Sequence, residues 1–247
     1  MNQIVKAQLA AFVAFCFYYL IRLIGINYQH SSIINYFFWG ILIKDSLFLI
    51  FYLILVYILF NLLRRSKKTG PTIIPAPKLK TALYIVLGFF WLSIILHILF
   101  DPLQLFFPLN QFLIFKIANF LDETISHIFL LTPFVLTTII ALFLEIERPL
   151  TKSLSKIDYL IIWPFSLLGG IMWGLNLTEG RLSLFTSFPL SVLYLIIAFY
   201  LFKKFHLKFN IRPLTLTFFI FFLFGAITFS FWGIKFQGFP EFFNYLK

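Results

Sequence analysis

Two histidines and four carboxylates could do chemistry in a chain that is 61% hydrophobic: His97, Asp101, Asp122, Glu123, His127 and Glu179. Ionisable groups inside an apolar helical bundle are costly, so a converging set points to a function. Ser93, His97 and Asp101 recur every four residues and share one helical stripe, as do Glu123 and His127. Asp122 is turned about 100° from Glu123 on an α-helix and would face a different neighbour. Asn176 and Glu179, three apart, fit one face at a helix end. His97, Asp101 and His127 make a metal-ligand set of zinc type, two nitrogens and an oxygen, and iron or manganese also accept such mixed ligation. A metal there would acidify a bound water, with Glu123, Glu179 or Asp122 as the catalytic carboxylate that takes its proton. Blander roles compete. Asp122 and Glu123 would complement a helix dipole, Arg181 would neutralise Glu179, and His97 is as well explained by a bond to a neighbouring helix.

The elements that must position these groups are membrane spans. A mean hydropathy of +0.97 with 12% charged residues excludes a soluble globular protein. Seven spans are expected at 4–27, 38–63, 81–100, 117–144, 158–178, 183–203 and 214–235, forming one all-α polytopic domain over 1–247. Spans three, four and five must then surround a common cavity. Pro102 is expected to end the third span just beyond Asp101. The run Arg64-Arg65-Ser66-Lys67-Lys68-Thr69-Gly70-Pro71, with Pro75 and Pro77 after it, cannot continue a helix and separates spans two and three. Cys16 excludes an internal disulfide and any multi-cysteine metal site, and reads as a packing residue. No signal-peptide cleavage pattern follows Lys6, so the first span reads as uncleaved. The tryptophans fit interfacial anchors, and Gly169, Gly170 and Gly174 would let a neighbouring helix approach closely.

A formal charge of +11 raises the question of nucleic acid, but the bases sit in short connections between spans rather than on a folded basic face. With the N-terminus cytoplasmic, most of the 20 Lys and Arg fall on the inner side, as the positive-inside rule requires, and the C-terminus is extracytoplasmic. Asp45, Asp101, Asp122, Glu123, Glu179 and Glu241 then lie near the outer face, and Glu145, Glu147 and Asp158 near the inner one. Acids contribute little to orientation, so an acidic outer end is a functional hint. The expected location is the plasma membrane, and the expected partners are membrane lipids.

Seven spans carrying Ser93-x-x-x-His97 and then Asp122 resemble the metal hydrolase superfamily of alkaline ceramidases and progestin/adipoQ-type receptors. That resemblance implies a zinc site formed by the serine, the histidine, the aspartate and two later histidines, and cleavage of a lipid amide bond. The seventh span here contains no histidine, so His127 would have to supply a missing ligand, and the Ser-His pair stands on the third span rather than the second. The leading expectation is a membrane-embedded, metal-dependent hydrolase acting on a lipid or lipid-linked substrate at the outer leaflet. One alternative is a cation- or proton-coupled transporter using Asp101, Glu123 and His127, although the inner halves of the spans offer Thr137 and Thr138 and no ionisable relay. The other is a non-catalytic scaffold or receptor in which these groups tie helices together.

Overall fold

The computed structural model describes residues 2–25, 44–64, 68–106, 113–178 and 185–240. It is helical throughout, with no strand among the described residues. Its long helices are α1 (Gln3–Gly25), α2 (Lys44–Arg64), α3 (Ala76–Phe106), α4 (Leu113–Glu147), α5 (Lys156–Asn176), α6 (Ser187–Lys204) and α7 (Pro213–Lys235). Five of them, α3 to α7, are long and apolar enough to cross a membrane, and α1 and α2 contain shorter apolar stretches, Gln3–Tyr18 and Leu49–Leu63. Large apolar side chains such as Leu99, Leu160, Phe199 and Ile234 point outward, as lipid rather than water would favour.

Helix α4 is the hub. It packs on α2, α3, α6 and α7, and Phe134 at its middle meets the rings of Trp173, Phe218, Phe221 and Phe222 at 5.0–6.3 Å. Trp173 is buried in this cluster and donates Nε1–H to Ser191 Oγ at 3.3 Å, so it is a core residue and not the expected interfacial anchor. The tightest pair is α5 with α7. A Cβ at Gly170 would stand 2.4 Å from the Phe221 carbonyl oxygen, and one at Gly174 would stand 2.5 Å from that of Gly225. Glycine is therefore required for the observed approach. Cys16, expected to pack, is exposed on α1.

Pro102 does not end α3, which continues to Phe106. A proline removes one backbone donor, and in an apolar bundle the freed carbonyl finds other partners more readily than an ended helix could satisfy all of its own. Pro133 and Pro164 lie inside α4 and α5 in the same way.

Side chains tie the helix ends together at the end of the bundle carrying the 68–75 connection. The Glu145 carboxylate accepts Leu214 N–H at 3.0 Å, Thr215 N–H at 2.6 Å and Thr215 Oγ1–H at 2.8 Å, which caps α7 from another helix. Arg148 Nη1 donates to the Leu62 and Leu63 carbonyls, satisfying the C-terminus of α2. The Glu147 carbonyl accepts from Thr69 and Gly70, and its carboxylate meets Lys68 Nζ at 2.6 Å. Asp158 completes a capping box with Ser155 and also accepts Asn2 N–H at 3.0 Å, which fastens the start of α1.

Candidate functional site

At the opposite end of α4 the helix widens. Residues Phe120–Ser126 form a π-helical segment between Leu113–Asn119 and His127–Glu147. A π turn stacks residues five apart instead of four. Asp122 and His127 therefore come together, a pairing that α-helical spacing assigns to Glu123 and His127. The segment lies against α3.

Asp122 is 1% exposed and organises both imidazoles. Its Oδ1 lies 2.5 Å from His97 Nδ1 on α3, and its carbonyl oxygen lies 3.1 Å from His127 Nδ1. A carbonyl oxygen can only accept, so the hydrogen sits on His127 Nδ1. The short distance to a buried carboxylate assigns the donor on His97 to Nδ1 as well. In the neutral imidazoles both lone pairs then reside on Nε2. The ring centroids are 6.1 Å apart with planes inclined at 74°. Two serines lock the geometry: Ser126 Oγ donates to the Asp122 carbonyl, and Ser93 Oγ donates to the Ser126 carbonyl at 2.7 Å. Both serines are buried. His97 is about one-fifth exposed, so the site reaches the bundle surface.

Of the residues anticipated from sequence, Ser93, His97, Asp122 and His127 thus belong to one bonded group. The contact of Asp122 with α3 agrees with its expected turn toward a different neighbour, but its partner is His97, which sequence spacing linked to Asp101. Asp101 lies within α3 and Glu123 within the π segment, while their side chains, and Glu179 altogether, fall outside the described residues. Asn176 is buried at the end of α5, a helix that packs chiefly on α7 and α1 and meets α4 through Trp173 and Phe134. Ser126 was missed, although its spacing of four from Asp122 marks a hydroxyl able to bond back to that carbonyl. Glu145, Glu147 and Arg148 were noted only as inner-end charges.

Among the described residues, no group of three or more His, Cys, Asp or Glu side chains is arranged to hold a metal ion. Within the bonded group, the Asp122 Oδ1 is engaged with His97 Nδ1. The chain matches no protein-family model, no curated protein and no solved structure.

Proposed function

We propose that this chain is a membrane-embedded, metal-dependent hydrolase acting on a lipid or lipid-linked substrate. One observation carries the reading: a single buried aspartate holds two imidazoles by their Nδ1 atoms, one through its carboxylate and one through its carbonyl. Metal-ligating histidines are oriented in this way, with the non-ligating nitrogen donating to a carboxylate or backbone carbonyl. His97 and His127 would bind through Nε2, with Asp101 as the third ligand and zinc as the first expectation. Asp122 is a positioning residue in this scheme, and the role of proton acceptor passes to Glu123 or Glu179.

The metal would supply an acidified water and polarise the acyl carbonyl. The carboxylate takes the water proton as oxygen adds to the carbonyl carbon, then returns it to the departing nitrogen or oxygen as that bond breaks. Kinship with the ceramidase and adipoQ-receptor superfamily is part of the proposal and rests on Ser93-x-x-x-His97 with Asp122.

The proposed setting is seven spans in the plasma membrane, with the N-terminus cytoplasmic and the site at the outer leaflet. Single cysteines in a Cys16→Ser background test this. Gln237→Cys should react with an impermeant maleimide on intact cells and Lys152→Cys only after permeabilisation; the reverse pattern refutes the orientation. For the chemistry, metal content of the detergent-purified protein is measured by mass spectrometry. Near-stoichiometric zinc, lost in both His97→Ala and His127→Ala, is the expected result. Wild-type protein that stays metal-free after reloading sinks the hydrolase proposal.

A further inference from the structure

A second feature stands at the other end of the bundle and is independent of the histidine site. Helices α2 and α3 adjoin the same connection, yet α2 packs mainly on α1, and α3 on α4. Between them lies a groove of about 550 Å³ lined by Phe60, Leu63, Ala76, Pro77, Lys80 and Tyr84. Among the described residues its walls are apolar apart from the Lys80 ammonium and the Tyr84 phenol. The Lys80 Nζ stands 5.7 Å from the Tyr84 ring centroid.

The charge around the groove is one-sided for a structural reason. The acids described at this end, Glu145, Glu147 and Asp158, are all at least 96% buried and engaged with helix termini or Lys68. Lys78 and Lys80 are exposed, while Lys68 is paired with Glu147. The surface presented beside the groove is therefore cationic, although the end contains carboxylates. A cleft between two apolar helices with apolar walls and a lysine at its polar edge matches an anionic phospholipid: acyl chain along the walls, phosphate at the ammonium.

We propose that the α2–α3 groove binds an anionic phospholipid, with Lys80 on the headgroup phosphate and Phe60, Leu63 and Tyr84 along an acyl chain. Native mass spectrometry of the detergent-purified protein, titrated with phosphatidylglycerol or with phosphatidylcholine of the same acyl chains, tests it. Wild type should retain phosphatidylglycerol several-fold better. Lys80→Gln should lower that retention about fivefold, the effect of one basic residue at a lipid surface, while Lys152→Gln, exposed elsewhere at this end, leaves it unchanged. Leu63→Trp, which fills the groove, should reduce retention of both lipids with the circular-dichroism melt preserved. Equal retention of the two lipids by wild type overturns the proposal. So does a Lys80→Gln protein no weaker than Lys152→Gln, or a second copy of the chain occupying the groove.

Discussion

Asp122 does two jobs with two different atoms, and substitution separates them. Asp122→Asn removes the charge facing His97 while keeping the carbonyl that holds His127. Loss of such an orienting partner weakens metal affinity by about 10–100-fold. Titration of zinc against a competing chelator reads that loss, and unchanged affinity would remove Asp122 from the proposed site. At the other end of α4, Glu145→Ala strips three donors of their acceptor at once. The expected destabilisation is about 1–3 kcal/mol, measured by thermal melting in detergent. Thr215→Val should lose less, because Leu214 and Thr215 still donate from the backbone. The sequence displayed these residues without their partners. His97, Asp122 and His127 were legible as costly groups in an apolar chain, but the bond between Asp122 and His97 joins residues 25 apart on different helices. No spacing rule reaches across such a gap. Glu145 was legible as a charge and silent as a cap, because its donors arrive 69 and 70 residues later.

Among the helices, the close approach of α5 to α7 makes the clearest prediction. Gly170→Ala and Gly174→Ala place a methyl group against backbone oxygens, which cannot swing aside as a flexible side chain can. Each should lower stability by about 1–3 kcal/mol. Gly88→Ala on α3 meets nothing within 4 Å and should raise stability by up to about 1 kcal/mol through helix propensity alone. Thermal melts of the three variants decide this, and equal behaviour would refute the packing explanation. Hydrophobic runs placed α5 and α7 to within two residues at each end, since apolar length is a strong signal, whereas α3 begins five residues before and runs six residues beyond the expected 81–100. They did not give the π segment, which depends on how α4 settles against α3, nor the passage of α3 through Pro102. Both depart from local rules, and the first lies within the candidate site.

Across the whole molecule the two ends of α4 are specialised in opposite senses. One end gathers two imidazoles around the single residue Asp122 in a widened turn. The other buries its carboxylates under helix termini and leaves lysines outside. Composition announced a membrane bundle and the charge asymmetry announced distinct ends, but only packing reveals that Glu145, Glu147 and Asp158 are spent on architecture. Release of Glu147 from the 68–70 strap should therefore loosen that end without touching the histidines. Lys68→Ala should raise amide hydrogen exchange at Thr69 and Gly70, and leave exchange at Ser126 and His127 as in wild type.

The long reach of the caps also bears on how the chain is made. Glu145 leaves the ribosome before Leu214 and Thr215 exist, Asn2 before Asp158, and Gln8, which donates to Thr217 Oγ1 at 2.8 Å, 209 residues ahead of its partner. A nascent bundle lacking α7 holds a carboxylate and an amide awaiting partners. Arrival of α7 completes both, so a chain truncated ahead of Pro213 should be recognised by membrane quality control as unfinished and turned over faster than the untruncated chain, as a cycloheximide or pulse chase would read.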